Sequence, residues 1–201
     1  MRPVLLCIFL VLLSAVTPLT NTNTPHAGTN TPPRERLDPQ LAAHLRLVAH
    51  PLDKKRLAEF YRGGTGRETA VSAAQLERAI TIGMRSLGRP YSFGRLDCSS
   101  FVHGALLAAG INLPRAAEEQ ARYGRIIADR ADLQRGDLVF FTRTYRTGYF
   151  ITHVAIFLGD NRMLHAASDI VRINDFPERA YWWKDYFIFG TRLLAAGDKK
   201  P

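Results

Sequence analysis

The sequence predicts an α+β fold, in which N-terminal helices pack on an antiparallel sheet of about five strands. Apolar residues recur at helical spacing up to residue 123, and short strand-like segments follow from residue 137 onwards. These two patterns do not alternate along the chain, whereas a parallel α/β sheet requires regular alternation. With 201 residues, of which 46% are hydrophobic, the chain is long enough for one folded domain and too apolar to be disordered along most of its length.

The first twenty residues are typical of a secretory signal peptide. Arg2 precedes an uncharged apolar stretch from Val4 to Val16, which is short for a membrane span and shows no polar face. We therefore expect export to the periplasm or the cell exterior, without stable membrane insertion after signal cleavage. Residues 21–37 are rich in Thr, Asn and Pro and are predicted to form a flexible linker.

Residues 38–71 are predicted to form an accessory helical segment. Asp38 precedes Pro39 as a helix N-cap would, and two short amphipathic stretches end at Pro51 and at Gly63. A segment of about 25 helical residues cannot build its own core, so these helices are expected to pack on the main domain. The histidines of this part of the chain, His26, His44 and His50, are expected to be solvated.

The main domain is predicted over residues 72–196, with a tail at 197–201. Ser72 and Gln75 have the spacing of a capping box at the start of a helix, and Asp97 is placed to cap a second helix that begins at Cys98. A third, short helix is predicted over residues 115–123. Strands are predicted at residues 137–142, 152–158, 163–167, 170–173 and 187–193.

Signal cleavage would remove Cys7 and leave Cys98 as the sole cysteine. An exported protein with one unpaired thiol either pairs it between chains or uses it. In the first helical turn, the free N–H groups and the helix dipole favour a thiolate and could also hold an oxyanion. The charge of Asp97 opposes a second negative charge, so the nucleophile should need a histidine partner.

Two histidines on neighbouring predicted strands could supply that partner. A three-residue loop at 159–161 would pair Leu158 with Arg162 and place His165 diagonally beside His153 on the same face, roughly 7–8 Å away. The spacing thus allows a relay of Cys98, His153 as general base, and His165 as the group that orients the base. His103, which lies on the same helix as Cys98, is interpreted as structural.

Simpler interpretations of the same residues stay open. A lone cysteine is often a core residue, and paired histidines are often structural or bind a metal, although no Cys-x-x-Cys or His-x-x-x-His spacing is present here. The net charge of +9 suits an anionic surface, but the arginines are scattered and do not form the stripe that nucleic-acid binding favours. Residues 141–150 form a long, aromatic and basic connection, either a substrate wall or a mobile loop without a role.

Several motifs, in a fixed order over residues 74–194, resemble the NlpC-type cell-wall cysteine peptidase family. They are P-Y-S-F-G-R-L-D-C-S-S-F-V, L-P-R, R-G-D-L-V-F-F, H-V-A-I-F-L-G-D and M-L-H-A. The resemblance implies a papain-like α+β domain, located in the bacterial cell envelope, that hydrolyses peptide bonds in peptidoglycan stem peptides. The bond usually cleaved in that family joins D-glutamate, through its side chain, to a diamino acid.

The resemblance also implies roles for individual residues. Cys98 matches the nucleophile of D-C-S-G-x-V, His153 matches the base of H-V-G-I, and His165 matches the third polar residue. Tyr91 matches the tyrosine of P-Y-x-x-G, which assists the oxyanion together with the Cys98 amide. Asp97 and Ser99 occupy positions where some relatives bind the free amine of the stem peptide.

This chain departs from the family pattern at three places. Ser100 and Ala155 replace glycines of the motifs, and only six residues separate Tyr91 from Cys98. The short connection bears on the substrate-binding roles of Asp97 and Ser99 more than on the Cys–His pair. The implied chemistry needs no cofactor or metal, and the partner is a peptidoglycan or muropeptide substrate. An amidase or acyltransferase on the same scaffold, and a non-catalytic cell-wall binding module, are the alternatives.

Overall fold

The computed structural model describes residues 38–69, 71–176 and 183–193, which belong to one compact unit. The predicted signal peptide, flexible linker and C-terminal tail lie outside these residues. Within the described ranges, no helix is both long enough and apolar enough to cross a membrane.

The described elements largely follow the predicted order, helices first and strands after, except that a short helix lies between the last two strands. The helices are α1 (Pro39–Leu47), α2 (Pro51–Arg62), α3 (Ala73–Met84), α4 (Cys98–Ala108), α5 (Ala117–Gln120) and α6 (Trp183–Tyr186). The strands are β1 (Arg125–Ile127), β2 (Leu138–Phe141), β3 (His153–Gly159), β4 (Arg162–Ala167), β5 (Ile170–Asp175) and β6 (Phe187–Arg192).

The strands of the described part of the chain form one antiparallel sheet in the order β1-β6-β2-β3-β4-β5. This arrangement confirms the α+β fold class, and all five predicted strands are present within two residues of their predicted ends. The sequence analysis missed β1, an edge strand of three residues that pairs with β6. Three residues are too few to show a period of two, so its pattern carried no signal.

Local capping explains where the helices begin. Ser72 and Gln75 form the predicted capping box of α3. Asp97 caps α4, and its backbone N–H is bound in return by the Ser100 hydroxyl. The predicted helix at 115–123 is shorter than expected, because the backbone of Ala116 is extended and Tyr123 pairs with Arg67 in an isolated parallel β-bridge.

The sheet has an apolar cluster on each face. Helix α4 packs against β3 and β4. Val154 and Ile156 join the larger cluster with α4, while Ala155 and Phe157 join the smaller one on the opposite face. His153 has the same strand parity as Ala155 and Phe157, and its ring lies 5.8 Å from the ring of Phe141. The first residue of β3 therefore lies at the border between the helix-covered core and the second face.

The accessory helices pack on the sheet through buried apolar side chains. Leu57 and Phe60 of α2 are buried, and the Phe60 ring lies 5.5 Å from the ring of Phe189 in β6. The expectation that His44 is solvated is wrong. Its Nε2 lies 2.8 Å from the Ile188 carbonyl and its Nδ1 lies 3.0 Å from the Tyr61 hydroxyl, because the inner face of α1 lies over the sheet. His50 is exposed, as expected.

Candidate active site

A cleft of about 400 Å³ opens at the N-terminus of α4. Cys98, the first residue of α4, is unpaired and partly buried in its wall. His153, the first residue of β3, lies in the same cleft. The other lining residues come from the turn before α4, from the connection between β2 and β3, and from β4, β5 and α6: Tyr91, Thr144, Tyr145, Thr152, Ala166, Ala167, Ser168, Arg172, Asn174 and Tyr186.

The β3–β4 hairpin sets the two histidines on one face. Ile156 pairs with Leu164 and Phe157 with Met163, which is the predicted register. The predicted three-residue loop is wrong, because Gly159 pairs with Arg162 and a bulge absorbs the extra residue. The turn consists of Asp160 and Asn161, whose φ angles of 50° and 54° match a two-residue type I′ turn.

A chain of hydrogen bonds connects His153 through His165 to Asn174, and both ends of the chain line the cleft. His153 Nε2 lies 2.8 Å from His165 Nδ1, and His165 Nε2 lies 2.8 Å from Asn174 Oδ1. Since an amide oxygen only accepts, His165 donates from Nε2 and its Nδ1 accepts from His153 Nε2. This assignment leaves the lone pair on His153 Nδ1 as the basic position.

The sequence analysis missed Asn174, the residue at the end of this chain. In the β4–β5 pairing Arg172 lies opposite His165, so Asn174 is the diagonal neighbour of His165 on the same face. The predicted strand stopped at residue 173, whereas β5 runs to Asp175. Extending the strand pattern by two residues would have placed Asn174 beside His165.

Both imidazoles are neutral at physiological pH. Burial lowers the pKa of His153 well below its usual value, and the neighbouring His165 lowers it further. Burial, aided by the charge of Arg172 and opposed by the hydrogen bond to Asn174, lowers the pKa of His165 to about 4. Among the described residues, no group of three or more His, Cys, Asp or Glu side chains could hold a metal ion.

Burial also affects the protonation state of the Cys98 thiol. It raises the pKa of the Cys98 thiol to about 11, against the opposing effect of the Val154 and Ser99 backbone amides. The charge of Asp97 acts in the same direction as burial. In this structure, desolvation of the thiol outweighs the stabilising effect that the helix terminus has on a thiolate.

Two phenols lie near the thiol. Burial, then the neighbouring Cys98 and Asp97, raise the pKa of Tyr91 to about 12, so Tyr91 is a neutral hydrogen-bond donor. The pKa of Tyr145 is raised by the same causes. The Tyr91 backbone N–H donates to the Asp169 carbonyl at 2.7 Å, which ties this segment to the β4–β5 turn.

Asp97 and Ser99 share a partner that the sequence analysis quoted only as the end of L-P-R. Arg115 donates to the Asp97 carboxylate and to the Ser99 hydroxyl, at 2.8 and 2.7 Å. Burial alone would raise the pKa of Asp97, but the hydrogen bonds from Arg115 and from the Ser100 and Gly94 amides lower it to about 2. The Asp97 charge is thus compensated within the protein.

These features define a papain-like α+β domain with a cysteine–histidine cleft. The sequence model of the NlpC/P60 family matches residues 88–191, just over half of the chain. The chain belongs to the NlpC/P60 family.

Known proteins of this family are similar over the same region. The bifunctional muramidase/DL-endopeptidase CwlT of Bacillus subtilis is 36% identical over 112 residues, which are 53% of this chain and 33% of that protein. The gamma-D-glutamyl-L-lysine dipeptidyl-peptidase of Bacillus cereus is 34% identical over 119 residues, 56% of this chain and 34% of the relative. The match thus spans about a third of the length of these relatives.

A solved structure has the same fold. The crystal structure of an NLP/P60-family protein similar to lipoprotein, from Staphylococcus aureus, superimposes with a TM-score of 0.56 at 31% identity. The superposition covers 69% of this chain and 48% of the other.

Proposed function

We propose that this chain is an exported cysteine endopeptidase that hydrolyses D-glutamyl–diamino acid bonds in peptidoglycan stem peptides. The observation that supports it best is the hydrogen-bonded series His153–His165–Asn174, which ends at the cleft that contains Cys98. The activities that name the two relatives, DL-endopeptidase and gamma-D-glutamyl-L-lysine dipeptidyl-peptidase, support this substrate class. The net charge of +9 suits an anionic cell wall outside the cytoplasm.

The first chemical step follows from the resting protonation states. His153 Nδ1 accepts the Cys98 thiol proton while the sulfur attacks the carbonyl carbon of the scissile bond. A proton transfer concerted with attack avoids a free thiolate, which the buried position disfavours. His165 keeps the basic nitrogen on the correct side of the His153 ring.

The second step releases the amine. The tetrahedral oxyanion accepts hydrogen bonds from the Cys98 amide, one of the free N–H groups of the first turn, and from the Tyr91 hydroxyl. The imidazolium of His153 donates its Nδ1 proton to the leaving nitrogen, the C–N bond breaks, and a thioester with Cys98 is left. Water, activated by the again neutral His153, hydrolyses that thioester and restores the thiol.

Asp97 and Ser99 flank Cys98, but both are buried and neither lines the cleft, so a substrate-binding role for them is supported by the resemblance alone. Arg115 is paired with both, so a free amine in the substrate would have to compete with its guanidinium. We therefore expect stem peptides whose first amino group is acylated to be cleaved at least as well as those with a free amine. Paired synthetic peptides that differ in that group measure the preference directly.

Digestion of purified muropeptides, followed by mass spectrometry, tests the reaction itself. The expected products are fragments cut between D-glutamate and the diamino acid, and they should be missing with Cys98→Ala. Cleavage between the sugar lactyl group and the peptide, or transfer of the acyl group to a second amine, would instead support an amidase or an acyltransferase. Wall binding by both wild type and Cys98→Ala, without fragments from either, would support a binding module.

A further inference from the structure

The inner face of α2 carries a carboxylate where its spacing calls for an apolar side chain. Asp53, Leu57 and Phe60 recur at helical spacing and are buried, Asp53 to 2% exposure. A buried carboxylate is strongly unfavourable unless it has a partner. The partner is Arg143, whose Nη2 lies 3.0 Å from Asp53 Oδ2.

Arg143 belongs to the connection between β2 and β3, residues 142–152, which we call the wall loop. Its φ of 57° is left-handed, an uncommon conformation for a residue other than glycine. Its guanidinium donates to the Asp185 carbonyl at 3.0 Å and lies 5.1 Å from the centre of the Tyr186 ring. Tyr186 and the next two residues of the wall loop, Thr144 and Tyr145, line the cleft. A single residue, Arg143, therefore connects Asp53 to the residues that line the cleft.

The same helix also contacts the far end of the wall loop. Arg56 donates to the Gly148 carbonyl, and the Phe60 ring lies 5.9 Å from the ring of Phe150. Asp53, Arg56 and Phe60 lie on one side of α2, so a single helix holds the loop at both ends. The Phe150 N–H additionally donates to Glu118 of α5 at 2.9 Å.

Helix α2 lies outside residues 88–191, the part of the chain that matches the family. We propose that Asp53 is a positioning residue for substrate binding, which holds the wall loop against the cleft through Arg143. The accessory segment is then part of the substrate-binding apparatus, and its loss would leave the nucleophile in place but the wall unsupported. The identity of the substrate rests on the proposed function; the coupling of α2 to the wall loop does not.

The test compares Asp53→Asn with Glu59→Gln in the full chain. Both changes remove one carboxylate from α2, but Glu59 is exposed. Four quantities are measured: kcat and KM on muropeptides, the rate at which iodoacetamide alkylates Cys98, followed by mass spectrometry on the peptide that contains it, and the rate of tryptic cleavage after Arg146, an exposed arginine of the wall loop. Alkylation reports on the nucleophile with a reagent too small to need the wall, and proteolysis reports on the loop without any turnover.

For Asp53→Asn we expect KM and tryptic cleavage after Arg146 each to rise about tenfold, with kcat and alkylation within about twofold of wild type. Glu59→Gln should match wild type in all four quantities. Unchanged KM and unchanged cleavage in Asp53→Asn would overturn the proposal, as would a fall in kcat and alkylation at constant KM. A wild type without turnover would contradict the proposed function alone, because the proteolysis comparison still decides whether Asp53 holds the loop.

A second variant covers the case in which Asp53→Asn does not fold. Arg56→Met keeps an apolar stem near Phe150 but removes the donor to the Gly148 carbonyl. We expect a rise of about threefold in KM and in cleavage after Arg146, with a wild-type alkylation rate. A wild-type KM and cleavage rate for this variant would show that α2 does not position the loop.

Discussion

The two sides of the cleft are stabilised by different interactions. On the side of the proposed general base, here called the base side, His153 and His165 are buried and neutral, Asn174 is partly buried, and each hydrogen bond fixes the tautomer of the next ring. On the nucleophile side, Asp97 caps α4 as a charged group and is paired with Arg115. The base side therefore supplies orientation without net charge, whereas the nucleophile side has its charge cancelled before a substrate arrives.

This difference determines how the thiol is activated. A resting thiolate would need a cation beside it, but both imidazoles are neutral because burial lowers their pKa values. Arg115, the cation of the nucleophile side, is already paired with Asp97. In the proposed mechanism, the proton of Cys98 therefore leaves during attack, and the position of His153 matters more than the electrostatic field around the sulfur.

The largest expected effect is the loss of the nucleophile itself. Cys98→Ser should lower kcat/KM for muropeptide hydrolysis by about 10⁴-fold, because a serine hydroxyl is a much weaker acid for the same base. His153→Ala should be comparable, since it removes the proton acceptor. Chromatographic rates of fragment release, with circular dichroism to verify folding, measure both variants.

Gly104→Ala is the matched control on the same helix. Gly104 is exposed on α4, and a Cβ added there meets nothing within 4 Å. Full activity is expected, with a gain of about 0.5–1 kcal/mol in the free energy of unfolding. Turnover by Cys98→Ser close to that of Gly104→Ala would remove Cys98 from the mechanism.

The two sides should lose stability to acid in separate pH ranges. The folded pKa of His165 is about 4 against 6.5 for the free group, so the unfolded state binds more protons between these values. The stability from this group is complete above pH 6.5 and declines, by on the order of 3 kcal/mol, as the pH falls to about 4. Asp97, with a pKa of about 2 against 3.8, acts only below that range.

Urea denaturation across this pH range separates the two contributions. Asp97→Asn should leave the decline between pH 6.5 and about 4 in place, because the histidines cause it. His165→Gln should make that decline shallower but not abolish it, because burial also lowers the pKa values of His153 and His44. A wild-type midpoint that is constant down to about pH 4 would contradict the neutral, buried state of His165.

A smaller effect is expected from the far end of the base side. Asn174→Leu removes the acceptor of His165 Nε2, so the imidazole is free to adopt the wrong tautomer. For Asn174→Leu we expect kcat to fall about tenfold with KM unchanged. The kcat of His165→Ala should fall further, but less than the kcat of Cys98→Ser. Asn174→Asp retains an acceptor and should restore most of the rate; a variant as slow as Asn174→Leu would show that Asn174 acts only through packing.

The sequence predicted the parts of this site that depend on local pattern. The cap at Asp97, the helix start at Cys98 and the register that brings His153 near His165 each follow from a short stretch of chain. The predicted hairpin has the correct strand register but the wrong turn length, because the bulge before Gly159 compensates for the shorter turn.

The remaining features depend on contacts between segments that are distant in sequence. The pairing of Arg115 with Asp97, the burial of His44 under the sheet and the contact of Asp53 with Arg143 could not be derived from periodicity. The thiol pKa was missed for the same reason, since the depth of Cys98 is set by how α4 packs on the sheet. The sequence does contain one sign of the Asp53 contact: a charged residue stands at helical spacing from Leu57 and Phe60, on the inner face of α2.

The smallest expected effect comes from the charged pair of the nucleophile side. Arg115→Gln leaves the Asp97 carboxylate with its amide donors but without a counter-charge, so the Asp97 pKa should rise. Because the Arg115 side chain is 42% exposed, solvent screens the pair and the loss in stability should be about 1 kcal/mol. Arg95→Gln replaces an exposed arginine before the same helix and is the control in urea denaturation.

The same variant also tests substrate preference. If Arg115→Gln improves the cleavage of free-amine stem peptides relative to acylated ones, Arg115 competes with the substrate at Asp97. If the preference is unchanged, Arg115 serves the cap alone, and the contrast between the two sides of the cleft concerns stability and not selectivity.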